Sequence, residues 1–286
     1  MGTLLVCFKS MGQVSLRYKL KPGTVFQIKQ QSDQTVMQRI DGLDNRVTNH
    51  IEAVLQFKVL QEQKDSYEME IQFKDIKMKV YSNLSGEILN LDVARTEENS
   101  QNRIFKSLLD YPIKAVLKFD GNITGLRGCE QLIERMIEKA DIKDDFTRDL
   151  LKTSLQNDFG PNAMSQNYKQ MTYFYPARKV MVNESWHTLN KGSSETDNTW
   201  KLLALDKNKA ILTANGTVNM EVFKSGMNMK LNGKQKSYLV ANPYNGFLKE
   251  LTIEGVAKGS SEIDMEEEKK EIPTVITSKI KYNLIN

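Results

Sequence analysis

The same order of turns and strands is written twice in this chain, about 160 residues apart. The first copy runs Leu20-Lys21-Pro22-Gly23-Thr24-Val25-Phe26, then Gln56-Phe57-Lys58-Val59-Leu60, then Asn83-Leu84-Ser85-Gly86-Glu87-Ile88-Leu89. The second runs Met181-Val182-Asn183-Glu184-Ser185-Trp186, then Trp200-Lys201-Leu202-Leu203-Ala204-Leu205, then Asn242-Pro243-Tyr244-Asn245-Gly246-Phe247-Leu248. In each copy a turn starts a strand, a polar hairpin follows, and an Asn/Gly turn launches another strand. A repeated β unit is a scaffold with a seam, and ligands favour such seams.

Local patterning agrees. Tyr67, Met69, Ile71 and Phe73 alternate with Glu68, Glu70, Gln72 and Lys74, the pattern of a strand with one wet face. Val54 to Leu60 makes a second strand, and Gln61 to Asp65 is the polar turn between them. No helix intervenes, so the pairing is antiparallel. The middle of the chain changes period. Asn99 to Leu109 reads as a helix stopped by Asp110-Tyr111-Pro112. Asp120-Gly121 is a two-residue hairpin turn following the strand Ala115–Phe119. From Cys129, residues Leu132, Ile133, Met136, Ile137 and Ala140 lay one broad apolar stripe on a helix. Phe146, Leu150, Leu151 and Leu155 extend that stripe until Phe159-Gly160-Pro161 ends the helical stretch. Period two then returns, with Met171, Tyr173 and Tyr175 on one face. Gly246 to Ala257 and Thr274 to Ile285 form a last strand pair, joined by an exposed loop containing Glu266-Glu267-Glu268-Lys269-Lys270-Glu271.

The expected fold is therefore α+β and mainly antiparallel β, with two duplicated curved β units joined by an amphipathic helical insert. Residues 1–12 read as the remnant of a signal peptide. Residues 13–97 form the first unit, 98–160 the helical insert with its hairpin, and 161–286 the second unit. The helices should cover the concave side of the sheets.

The chemistry is bounded mostly by what is missing. The 40 basic and 36 acidic side chains are interleaved, so there is no concentrated basic face for nucleic acid. No run is long and apolar enough for a transmembrane span. Cys7 and Cys129 make neither a disulfide framework nor a four-ligand metal site, and a buried thiol is the expected fate of Cys129. His50 and His187 are far apart, so neither a metal nor a cofactor is expected. No G-x-S-x-G, S-x-x-K or H-E-x-x-H occurs, and no catalytic residue is assigned. The glycines from Gly121 to Gly128 fit neither phosphate-loop spacing, and the Asp-Gly turn accounts for the first of them. Carboxylate pairs such as Glu97/Glu98 and Asp144/Asp145 suit surface or helix-start roles.

The aromatics concentrate in the second half. Trp186 and Trp200 are expected in the core by their size. Tyr173, Tyr175 and Tyr244, together with Met136 and Ile137 on the helical stripe, are the candidate ligand-binding residues. At the N-terminus, Thr3 to Phe8 is a short apolar run, and Ser10-Met11-Gly12 resembles a peptidase site. This gives a periplasmic or secreted expectation, with a lipid anchor on Cys7 disfavoured by Val6.

On Leu20-Lys21-Pro22-Gly23-Thr24, the Asp120-Gly121 hairpin and Asn183-Glu184-Ser185-Trp186, the chain resembles an uncharacterised family of secreted proteins and lipoproteins from Bacteroidota. Asn183-Glu184 stands where that family carries Gly-Asp. The resemblance spans nearly everything after Gln13, and it implies an envelope or secreted location and no function. The leading expectation is a non-enzymatic envelope protein that binds an apolar or amphiphilic ligand, or another envelope protein. The partner would then be a lipid, a glycan or a protein. The alternatives are an adaptor working through exposed strands and a glycan-acting enzyme.

Overall fold

The computed structural model describes residues 12–40, 42–94, 100–192, 194–224, 227–265 and 268–286. The apolar run Thr3–Phe8, Cys7 and the pair Glu97/Glu98 lie outside the described residues. Twelve strands form one antiparallel sheet in the order β6-β5-β3-β2-β1-β12-β11-β10-β9-β8-β7, with β4 on the far half of β3. They are β1 (Val25–Ile40), β2 (Leu43–Glu62), β3 (Ser66–Ser82), β4 (Gly86–Asp92), β5 (Ile113–Lys118), β6 (Ile123–Arg127), β7 (Ser185–Asn190), β8 (Ser194–Leu205), β9 (Ala210–Lys224), β10 (Met227–Ala241), β11 (Leu248–Met265) and β12 (Glu268–Leu284). Among the described residues there are also four helices: α1 (Ser100–Asp110), α2 (Cys129–Ala140), α3 (Asp145–Phe159) and α4 (Pro161–Thr172).

The two-unit α+β expectation is overturned. Strands take up 58% of the described residues against 19% in helices, and they belong to one sheet. The halves merge because β1 pairs with β12 from Ile28↔Leu284 to Gln38↔Thr274. Local pattern says that both segments are strands, but it carries no information about a partner 236 positions away.

The sheet closes on itself through α4. β6 and β7 are the two ends of the strand order, and α4 lies against both. Gln166 Nε2 donates to Lys191 O, and Asn190 Nδ2 to Gln166 O, on the β7 side. Thr172 Oγ1 donates to Gly121 O, and Ser165 Oγ to Ile123 O, on the β6 side. The curl thus brings both edges within one helix diameter, about 10–12 Å, and one helix covers edges that would otherwise invite aggregation.

α4 is itself a correction. The sequence reading ended the helices at Pro161 and put Met171 in a strand. Pro161 instead occupies the first helical turn, where its missing N–H costs nothing. Met164, Tyr168, Met171 and Thr172 are buried at helical spacing. Tyr173 and Tyr175 follow in irregular chain. Two further expectations fail. Phe146 and Leu150 of α3 are 71% and 56% exposed, and Leu155 is the buried member of that stripe. The loop expected near Glu266 is ladder up to its tip, with Gly259↔Thr274 continuing to Met265↔Glu268.

One end of the curl is plugged by aromatics. Residues 12–24 cross it, bonded through Val14 to Val180, Tyr18 N to Phe119 O and Lys19 N to Asn245 O. The Tyr18 ring meets Phe174, Tyr175 and Phe247 at 5.4–6.2 Å. Phe247 stacks on Phe26 at 3.8 Å. Each such pair adds about 0.5–1.5 kcal/mol beyond its burial. Trp186 and Trp200 are buried as expected, donating to Phe174 O and Thr188 Oγ1.

Candidate functional site

The inner face of the curl can be followed row by row, because paired residues on neighbouring strands share a face. One row is apolar apart from Gln30: Ala53, Gln30, Tyr282, Leu251, Leu239, Leu212 and Leu202 run from β2 through β1 and β12 to β8. Two positions further along the strands lies a mixed row that includes Ile51, Ser32, Ile280, Ile253, Ser237, Ala214 and Trp200. The next row is polar or glycine from β2 to β7: Asn49, Gln34, Ser278, Gly255, Gln235, Gly216, Asn198 and Thr188. Beyond it Val36, Ile276 and Ala257 restore an apolar layer, packed with Leu231. A belt of hydrogen-bonding side chains therefore crosses the interior of the curl between rows that are more apolar.

Between the inner face and α4 is a cleft of about 680 Å³, within the range of small-molecule sites. Its walls include Ile51, Leu55, Phe73, Ile76, Met78 and Leu89 from the sheet. Phe105, Phe159, Met164, Tyr168 and Met171 face them from the helices. Gln30, Ser32, Asn49, Gln166, Asn167 and Gln170 supply uncharged polar groups, and Asp158 is the one charged lining residue. A β-bulge at Lys74 lets both Phe73 and Ile76 line the cleft, since Leu55 pairs with Phe73 but Val54 with Asp75.

Next to the cleft is a recess of about 20 Å³, lined by Gln170, Tyr173, Thr188, Asn190, Thr196, Asn198, Gln235 and Ser237 among others. That is room for about one water-sized group. Gln170 lines both spaces. In the recess Gln235 Nε2 donates to Asn198 Oδ1 at 2.8 Å. Three buried polar atoms bordering the two spaces have no protein partner: Asn49 Oδ1, Tyr168 OH and Asn190 Oδ1. Burial drives the Tyr168 hydroxyl far above the usual phenol range, with Cys129 adding to the rise, so it stays protonated. Leaving such atoms unpartnered costs about 1–3 kcal/mol each.

The five residues chosen from sequence do not converge. Tyr173 lines the recess, half-buried. Tyr175 belongs to the aromatic plug, and its hydroxyl donates to Gly246 O at 2.6 Å. Tyr244 is 69% exposed on the turn before β11. Met136 and Ile137 face the core from α2 and line neither space. Sequence reasoning missed Asn49, Tyr168, Gln170 and Asn190. Tyr168 could have been found from its spacing with Met164 and Met171.

Cys129 opens α2, buried, with its thiol 4.0 Å from Met164 Sδ. Burial first, then Glu130, pushes it up to about 11. In a Cys7→Ser variant, alkylation of Cys129 at pH 8 is expected to run more than a hundredfold slower than for a free thiol, and to reach completion in urea. Rapid labelling of the native protein would show that α2 does not seal this site. His50 and His187 sit on β2 and β7, beside Asp33 and Thr199 respectively.

A curled antiparallel sheet with a helical cover over an apolar cleft defines the class of protein. The chain belongs to a family of unknown function (DUF6263), whose model matches residues 64–248. No curated protein matches it. Among solved structures it is similar to lipovitellin, from a structure described as lipid–protein interactions in lipovitellin. That match has 11% identity and a TM-score of 0.54, covering 94% of this chain and 26% of that one. This chain thus spans about a quarter of the lipovitellin chain, and the likeness is one of fold. An outer membrane channel from Pseudomonas putida F1 matches at 9% identity and a TM-score of 0.36, over 94% and 97% of the two chains. Among the described residues no helix is long and apolar enough to cross a membrane.

Proposed function

We propose that this protein is a non-enzymatic binder of an apolar or amphiphilic ligand, held in the cleft between the curled sheet and α4. The observation that carries this is the cleft itself: about 680 Å³, walled by aliphatic and aromatic side chains, with amides as its polar groups. The fold likeness to lipovitellin, a protein described by its lipid interactions, supports the same class of ligand. A periplasmic or secreted setting in a bacterial envelope goes with this reading, on the N-terminal pattern and the resemblance to secreted Bacteroidota proteins. A glycosidase would need a pair of carboxylates in the cleft, and Asp158 is the one carboxylate in its lining. An adaptor adding a strand at β7 would have to displace α4 from that edge.

The test is native mass spectrometry of the protein purified from a bacterial envelope, with solvent extraction of what travels with it. A discrete extra mass that extracts as a lipid is expected. Ser32, half-buried on the inner face of β1, lines the cleft. Ser32→Trp should fill the space, remove the adduct, and cost no more than about 1–3 kcal/mol of stability. An adduct retained in full by that folded variant would place the ligand elsewhere.

A further inference from the structure

The polar belt specifies the ligand's head. We infer that the ligand is an uncharged amphiphile whose tail fills the cleft and whose hydroxyl group or groups donate to the belt and its recess. This rests on the binding reading above and narrows it to one chemical class.

The belt is a transverse row on the inner face from Asn49 on β2 to Thr188 on β7, and it gives way to Val80 on β3 and Leu89 on β4. Interior polar groups are normally bonded, so exceptions mark places where a partner is expected from outside the chain. Such atoms also occur elsewhere in the fold, at Asp75, Ser107, Asn122 and Asn228, and three border the ligand space. Asn49 Oδ1 borders the cleft and Asn190 Oδ1 borders the recess, both buried and without partners. Both are acceptors, so they call for a donor on the ligand. Tyr168 OH, also unpartnered, can donate or accept. Gln170 lines both spaces, so they adjoin at this residue, the tail space on one side and the head space on the other. The recess admits about one water-sized group, which fits a single hydroxyl.

The charges point the same way. An ionised carboxylate or phosphate head would bring acceptors to acceptors. It would also lack the guanidinium fork that usually receives such groups. No arginine lines either space; Lys169 at the recess is the one cation and Asp158 at the cleft the one anion. A neutral hydroxylated head meets no such conflict.

The experiment compares monopalmitoylglycerol with palmitate, which share one acyl chain, by titration into the full-length, lipid-stripped protein at pH 8. Monopalmitoylglycerol is expected to bind at least about tenfold more tightly. Asn49→Ala and Asn190→Ala should each weaken it about fivefold, the worth of one neutral hydrogen bond, and leave palmitate unchanged. Thermal melting of both variants checks that the fold is kept. Equal binding of the two amphiphiles, or folded variants that bind monopalmitoylglycerol as tightly as the parent, overturns the head-group assignment and leaves cleft binding standing. Failure of both amphiphiles to bind overturns the cleft reading and this inference with it.

Discussion

Gly121→Ala is expected to lose at least about 4 kcal/mol of stability, a loss that marks a specific steric fault rather than a surface effect. Gly121 sits at φ +96°, and a Cβ there would lie 1.8 Å from the carbonyl oxygen of Thr172 and 2.9 Å from the Tyr18 ring. The hairpin tip between β5 and β6 packs directly on the last turn of α4, and backbone cannot move aside as a side chain can. Thr172 Oγ1 also donates to Gly121 O, so displacing the helix breaks a buried bond. Gly23→Ala separates the causes. Gly23 has φ +84° and open space where its Cβ would go, so the left-handed backbone alone should cost about 1–2 kcal/mol. Urea unfolding of the two variants decides the matter: equal losses would mean that the hairpin does not hold α4 tightly.

Tyr18→Ala is expected to cost about 3–5 kcal/mol, as for other large aromatics emptied from a core. Its ring is 1% exposed and touches three other aromatic rings. Tyr18→Phe keeps the ring and loses only the bond from the hydroxyl to Thr172 O at 3.1 Å. That change should cost about 0.5–1.5 kcal/mol. The ratio between the two losses, read from the same unfolding curves, reports how much of the plug is packing. If Tyr18→Phe proved as damaging as Tyr18→Ala, the hydroxyl rather than the ring would be the anchor.

What could be read in the sequence follows where the interior is apolar. The β2–β3 hairpin around Gln61 to Asp65, the Asp120-Gly121 hairpin, α1 and α2 are found near their expected positions. Tyr67, Met69 and Ile71 are buried on alternate positions as the pattern requires. β1 was hard to see for a reason tied to the site. Its inner positions Gln30, Ser32 and Gln34 approach and enter the polar belt, so both faces of that stretch are polar and the period-two signal vanishes. α4 was hidden differently, because a proline that opens a helix was taken as one that ends it. The candidate tyrosines were chosen for their aromatic character. The structure distributes them among plug, recess and surface, while the unpartnered groups at the ligand space are two asparagines and Tyr168. An asparagine facing inward is invisible in one sequence unless its strand is already known.

The seam between β1 and β12 also bears on biosynthesis. Val25 to Ile40 leaves the ribosome early and can pair at once with β2 on one side. Its other edge, from Ile28 to Gln38, must wait for residues 274–284. Until then a nascent chain carries a long unpaired strand edge with an unfilled apolar interior behind it. Such species fold slowly and are prone to aggregate. The protein should therefore depend on a holding chaperone during synthesis far more than its finished, edge-covered form would suggest.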